Sequence, residues 1–132
     1  MTIVSIPVTS AFALPLTFII IFLAMQVVRF RKKHKVGFGS NKNEELSRAI
    51  GAHANAIENI PLALFLLLML ELNQLDQVYL IVFGGILVIA RLIHAFGLTK
   101  SIGVSFGRTY GTLITWILML TMSGLNLFLI SV

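Results

Sequence analysis

The feature that most constrains the fold is the absence of charge from the start of the chain. Residues 1–28 carry no charged side chain, and the apolar part from Val8 to Val28 is long enough to span a bilayer, which takes about 20 residues. The whole chain is similarly apolar: 58% of its 132 residues are hydrophobic and 11% are charged, compared with about 25% charged residues in soluble domains. The sequence therefore predicts an integral membrane protein.

Turn and loop residues divide the chain into four predicted membrane-spanning helices. Asn43, followed by Glu44 and Glu45, is typical of a helix start. Short polar stretches at 29–48, 71–77 and 101–107 separate the apolar segments, so the helices are expected at about 8–28, 44–72, 78–97 and 108–132. We expect an all-α fold, an integral membrane four-helix bundle that forms a single domain over residues 1–132.

The positions of the basic residues predict the orientation in the membrane. All ten Lys and Arg residues lie within 29–48 or 91–108. Because cytoplasmic loops are enriched in Lys and Arg, both basic loops are predicted to be cytoplasmic, with the termini on the opposite side. The same basic residues are held against a membrane rather than spread over a solvated face with stacking aromatic residues, so a nucleic-acid partner is not expected.

Helix two carries polar residues into a segment that should cross hydrocarbon. At 100° per residue, Arg48, Gly51, Asn55 and Glu58 fall within about 80° of arc. A charged side chain near the bilayer centre costs about 2.5–3.5 kcal/mol, so such residues usually face a bundle interior and serve a function. We therefore interpret this face as the floor of a binding site.

Polar residues of the other helices are predicted to converge on the same cytoplasmic end. Together with helix two they would form a cationic site around one carboxylate, suited to a small ligand that has several carboxylates and an ammonium group. The additional residues are Arg91 and His94 of helix three, Arg31 and Lys32 at the end of helix one, and Arg108, Thr109 and Tyr110 at the start of helix four.

Two structural roles remain open for these residues. Glu58 and Arg91 are also suited to a buried ion pair between helices two and three, and Asn55 to an interhelical hydrogen bond. The chain has no cysteine, so any thiol chemistry requires a ligand that brings the thiol.

The motif Arg48, Asn55, Glu58 and Pro61, followed by Arg91 and by His94 three residues later, resembles the MAPEG superfamily, the membrane-associated proteins in eicosanoid and glutathione metabolism. The short bacterial members are the most similar. The resemblance implies a homotrimer that binds glutathione, as co-substrate, between neighbouring subunits near the cytoplasmic surface.

The family's functional residues can be matched to this chain one by one. Arg31, Asn55, Glu58 and His94 match glutathione-binding positions, and Arg48, Arg91, Thr109 and Tyr110 complete the predicted binding set. Arg108 is the candidate for the arginine that stabilises the thiolate, and Lys32 for a residue that protonates or orients the second substrate. The chain differs from the eicosanoid enzymes at Gly51, where they have an arginine, and at Leu98, where the family has a tyrosine.

The resemblance implies a membrane-bound, glutathione-dependent transferase or peroxidase that acts on a small lipophilic electrophile, located in a bacterial inner membrane. Two other functions fit the composition. A small four-helix drug–proton transporter would also have an intramembrane carboxylate, although we would expect it on helix one. A catalytically silent membrane scaffold with the same fold is the third possibility.

Overall fold

The computed structural model of the protein describes residues 5–100 and 106–131, and it contains four long helices and no strand in those ranges. The helices are α1 (Pro7–His34), α2 (Glu44–Leu72), α3 (Gln77–Lys100) and α4 (Phe106–Leu129). Each has the length and hydropathy needed to cross a membrane. The predicted all-α, four-helix membrane fold is confirmed.

The helix ends follow the local sequence signals. Pro7 occupies the first turn of α1, where its missing N–H is not needed. Asn43 caps α2, because its side chain accepts a hydrogen bond from the backbone N–H of Leu46 at 2.9 Å. The fourth helix begins at Phe106, two residues before the predicted start at Arg108. Residues 101–105 of the predicted second loop lie outside the described residues.

The bundle is built around α2 and α3. In the described part of the chain α2 contacts the other three helices, whereas α1 and α4 do not contact each other. Leucine and isoleucine side chains such as Leu16, Ile60, Leu67 and Leu87 fill the core. The outer surface is also apolar, as expected for a protein surrounded by lipid.

Polar side chains join the helices at the end of the bundle that contains the turn after Leu72. The Glu71 carboxylate accepts hydrogen bonds from the backbone N–H groups of Val8 and Thr9, at 2.9 and 2.7 Å, and so caps the N-terminus of α1. Asn126 of α4 donates to the carbonyl of Leu66 at 3.1 Å and accepts a hydrogen bond from Asn73 at 3.1 Å. These contacts fix α1 and α4 to α2.

Two glycines bring α4 against α3 at the opposite end. A Cβ atom at Gly111 would lie 2.8 Å from the carbonyl oxygen of Ala90 and 2.8 Å from the Cβ of His94. A Cβ atom at Gly107 would lie 2.8 Å from the carbonyl oxygen of Ile93. The absence of a side chain at these positions lets the two backbones touch, which places the start of α4 next to His94.

Candidate functional site

A cavity of about 480 Å³ lies between α2, α3 and α4, at the end of the bundle where α4 begins. We call it the α2–α4 cavity. It brings together Asn55, His94, Arg108 and Thr109 of the predicted site, and Gly51 also lines it. The remaining lining residues are Thr112, Leu113 and Trp116 of α4. One wall is therefore polar and basic, and the wall formed by the later turns of α4 is mainly apolar.

Asn55 connects this cavity to a buried arginine. Arg91 is 2% exposed, and its Nη2 donates a hydrogen bond to the side-chain oxygen of Asn55 at 2.8 Å. The other terminal nitrogen, Nη1, is buried and has no hydrogen-bond partner among the described residues. A buried guanidinium group with an unused donor is unusual, since most buried polar atoms are paired.

Hydrogen bonds continue from Asn55 along α2 to α4. The backbone carbonyl of Asn55 accepts a hydrogen bond from the side-chain nitrogen of Asn59 at 2.8 Å. The side-chain oxygen of Asn59 in turn accepts one from the indole Nε1 of Trp116 at 3.0 Å. Sequence reasoning did not assign Asn59 or Trp116 to this network. The four-residue spacing of the two asparagines on one helix face was the available signal.

His94 is held in place by its surroundings rather than by a described hydrogen bond. Its side chain is 4% exposed, and Gly111 of α4 packs against its Cβ. His94 and Arg108 both line the α2–α4 cavity.

Glu58 does not form the ion pair with Arg91 that the sequence left open. Its side chain is exposed on the outer surface of the subunit, and Arg91 bonds to Asn55 instead. The reason is geometric, because three residues of helix turn the chain by about 300°, which places Glu58 roughly 60° away from Asn55. In the described part of the chain the carboxylate of Glu45 forms an ion pair with Lys33 at 2.7 Å and a hydrogen bond with Nε2 of His34 at 2.8 Å.

The other predicted residues lie apart from the α2–α4 cavity within one subunit. Arg31 donates from Nη1 to the carbonyls of Val36, Gly37 and Gly39, at 3.4, 3.1 and 3.1 Å, and holds the loop after α1. Lys32 is exposed. Tyr110 is exposed and its ring centroid lies 4.0 Å from that of Phe106.

Arg48 lines a second cavity, of about 360 Å³, between α1 and α2. We call it the α1–α2 cavity. The expectation that all basic residues meet in one site is thus not fulfilled inside a single subunit.

Comparison with known proteins agrees with the fold. A sequence model of the MAPEG family matches residues 9–128. The chain is 31% identical over 120 residues to the inner membrane protein YecN of Escherichia coli strain K12, covering 91% of this chain and 90% of the relative. The same protein from Escherichia coli O6:H1 strain CFT073 matches equally. Together with the four membrane spans, these relatives support the predicted location in a bacterial inner membrane. The chain belongs to the MAPEG family.

Proposed function

We propose that the protein is a membrane-bound, glutathione-dependent transferase or peroxidase that acts on a small lipophilic electrophile, and that the α2–α4 cavity holds glutathione. The observation that carries the proposal is the buried Arg91, whose Nη1 has no partner in the described chain and whose Nη2 holds Asn55 at the cavity wall. Arg91 itself does not line the cavity, so a ligand carboxylate beside Asn55 completes the guanidinium fork after a small shift of the side chains that cover Nη1. The cavity volume of about 480 Å³ falls within the usual range of small-molecule sites, about 300–1,000 Å³.

The polar wall of the cavity also fits the remaining groups of glutathione. Asn55 keeps its amide nitrogen as a donor, because its side-chain oxygen accepts from Arg91. Thr109 and Thr112 add hydroxyl groups on the α4 side. The apolar surface near Leu113 and Trp116 suits a lipophilic second substrate that enters from the membrane between helices. The residues present therefore fit this co-substrate.

Arg108 is the proposed catalytic residue. When bound, glutathione supplies a thiol whose ordinary pKa of about 8.5 leaves little thiolate at neutral pH. The guanidinium group of Arg108 stabilises the negative charge at the sulfur position, since a nearby cation favours the charged form. Thr109, one residue later on the same helix, donates a hydrogen bond to that position. In the transfer reaction an electrophilic carbon gains a bond to sulfur and loses its leaving group with the bonding electrons.

The exposed carboxylate of Glu58 supports the homotrimer as part of the proposal. In an isolated subunit it would lie on the surface of a membrane-spanning helix, at a cost of about 2.5–3.5 kcal/mol near the bilayer centre. A neighbouring subunit that covers this surface removes Glu58 from lipid. It also brings Arg31, Lys32 and Tyr110, which lie outside the cavity of their own subunit, to a cavity shared between subunits.

In the trimer Glu58 binds the ammonium group of glutathione, and Lys32 protonates or orients the second substrate. Arg48 contributes only through the cationic surface at this end. Both basic loops face the cytoplasm, because all ten Lys and Arg residues lie at that end. The cytoplasm then supplies glutathione and the membrane supplies the electrophile.

Calorimetric titration of the detergent-purified protein with glutathione tests the proposal, with S-methylglutathione as the control that cannot ionise at sulfur. Both ligands should bind, and only glutathione should produce the ultraviolet absorbance of a thiolate. Arg108→Ala should reduce the thiolate fraction by about tenfold, corresponding to the loss of one favourable charge, while S-methylglutathione still binds. Glu58→Gln should weaken both ligands by about tenfold, the contribution of one hydrogen bond to a charged group.

The alternatives give different results in the same preparation. Absence of glutathione binding at millimolar concentration would contradict the proposal. Proton release upon addition of a lipophilic cation would then favour a transporter, and no response to either ligand would favour a scaffold.

A further inference from the structure

The α1–α2 cavity is not used by the proposed function. It is lined by charged residues at one end and by apolar residues at the other, as expected for a site that binds an amphiphile. Its polar end is formed by Arg29 and Lys33 of α1 and by Glu45 and Arg48 of α2. Its other end is lined by Phe22, Leu23, Ala49, Ala52 and Ala95. Three cations and one carboxylate give the lining a net charge of +2, so its polar end attracts an anion.

The two arginines of this cavity are available to a ligand. The carboxylate of Glu45 is already engaged by Lys33 and His34, at 2.7 and 2.8 Å. Neither Arg29 nor Arg48 forms a hydrogen bond or an ion pair with any residue that the structure describes. The engaged carboxylate therefore does not neutralise them, and both guanidinium groups keep their donors for an external acceptor.

The position of the cavity along the membrane normal indicates which kind of anion could bind there. The lining residues of α1 lie between Phe22 and Lys33, which are eleven helical steps apart, or about 16 Å at a rise of about 1.5 Å per residue. The 28 residues of α1 measure about 42 Å and exceed the hydrocarbon thickness of about 30 Å. The basic end of the cavity thus lies at headgroup level, and the end near Phe22 lies within the acyl-chain region.

The cavity is open to lipid and has a floor of small residues. Phe22 is 49% exposed and Arg29 is exposed, so the cavity opens on the outer surface of α1. Ala49 and Ala52 are buried beneath it, and their short side chains leave the space that an acyl chain would fill.

We propose that the α1–α2 cavity binds one anionic phospholipid, with the phosphate held by Arg29 and Arg48 and the first part of an acyl chain lying over Ala49, Ala52 and Phe22. The phosphate oxygens accept from both guanidinium groups, a geometry that arginine favours. The site is separate from the α2–α4 cavity, and its occupancy does not depend on glutathione. It differs from a general attraction of basic loops to the membrane, because it needs both the arginine pair and the apolar space.

The test is native mass spectrometry of the full-length protein released from detergent, titrated with dioleoyl phosphatidylglycerol or with the zwitterionic dioleoyl phosphatidylcholine. One phosphatidylglycerol per subunit should be retained at concentrations where phosphatidylcholine is lost. The double substitution Arg29→Gln and Arg48→Gln should weaken retention by about 100-fold, since each hydrogen bond to a charged group contributes about tenfold. Equal retention of the two lipids would overturn the proposal.

A matched control removes the same charge elsewhere. Lys35 and Lys42 are exposed and do not line the cavity, so Lys35→Gln with Lys42→Gln should change retention less than about threefold, because salt screens exposed charges. If the lysine pair weakens retention as much as the arginine pair, only general electrostatic attraction is present and the proposal is wrong.

Ala49→Leu fills the cavity without a change of charge and should also abolish retention. Retention of the lipid by a folded Ala49→Leu protein would contradict the assigned acyl-chain position. Arg29 and Arg48 lie at the mouth of the cavity and not in the core. The lipid-retention test with the arginine substitutions is therefore valid even if the Ala49→Leu protein fails to fold. Inorganic phosphate at the same concentration should not displace the lipid, and full displacement would overturn the assignment to a lipid.

Discussion

The hydrogen bond between Arg91 and Asn55 should be a measurable source of stability, and its magnitude can be worked out from the burial of the two groups. Interhelical hydrogen bonds in membrane proteins contribute about 0.6 kcal/mol on average, whereas bonds to charged groups contribute about 1.5–3 kcal/mol. The second range applies here, because one partner is the guanidinium group of Arg91, which is charged and only 2% exposed. We expect Asn55→Leu to lower the free energy of unfolding by about 2 kcal/mol.

A double-mutant cycle isolates this interaction from other effects of the substitution. The backbone carbonyl of Asn55 that binds Asn59 remains in Asn55→Leu, so the change removes only the side-chain acceptor of Arg91. Arg91→Met removes the buried charge, and once it is gone Asn55→Leu should be nearly neutral, because apolar replacement of both partners costs little. The assay is reversible unfolding by dodecyl sulfate in mixed micelles, followed by far-ultraviolet circular dichroism. A coupling energy below about 0.6 kcal/mol, the membrane-protein average, would refute the reasoning.

Two further predictions concern contacts that set the positions of the helices, and both use the same unfolding assay. Glu71→Gln removes the charge that caps the N-terminus of α1 and should lower the free energy of unfolding by about 1–2 kcal/mol. The control Glu44→Gln, at an exposed position, should lower it by less than about 0.5 kcal/mol. Equal effects of the two substitutions would contradict the capping role of Glu71. Gly111→Ala places a Cβ 2.8 Å from that of His94 and should cost about 1–3 kcal/mol through overpacking. Gly124→Ala, with nothing within 4 Å of the added Cβ, is its matched control and should be tolerated; tolerance of both would contradict the close approach of α3 and α4.

The sequence predicted the four helices and most of their ends, but α1 continues to His34, six residues beyond its predicted end at Val28, because the basic residues after Val28 can remain helical outside the hydrocarbon. Asn43 before two glutamates marked the start of α2, and the structure begins that helix at Glu44 and ends it at Leu72, as predicted. The convergence of Asn55 with His94 and Arg108 was also correct, since all three lie near the same end of their helices. The roles of these residues in binding and catalysis stay predictions.

The choice of side-chain partners was not predictable from helix angles alone. Arg48 lies within about 20° of Asn55 in projection, but seven residues separate them by about 10 Å along the helix axis. At its own level Arg48 faces the end of α1 and lines the α1–α2 cavity, whereas Asn55 faces α3 and binds Arg91. The angular position shows on which side of a helix a residue lies. Which side chains it contacts depends on how the neighbouring helices pack.

Each end of the bundle has one buried polar atom without a partner in the described chain, but the atom is a neutral hydroxyl at one end, Oγ1 of Thr9, and part of a guanidinium group at the other, Nη1 of Arg91. The charged atom is the one that supports the proposed site, because an unpaired buried charge costs more than an unpaired hydroxyl. Near the turn after α2, Glu71 and Asn126 bond to backbone groups of neighbouring helices and act as structural contacts. At the other end Arg91 keeps a buried nitrogen without a partner in the described chain, which costs about 1–3 kcal/mol that an apolar residue in its place would avoid. A stability role alone gives no reason for that cost, because Nη2 already makes the interhelical bond to Asn55. A ligand carboxylate that pairs with Nη1 does give one, so the strongest structural argument for ligand binding is at Arg91 rather than at the exposed Glu58.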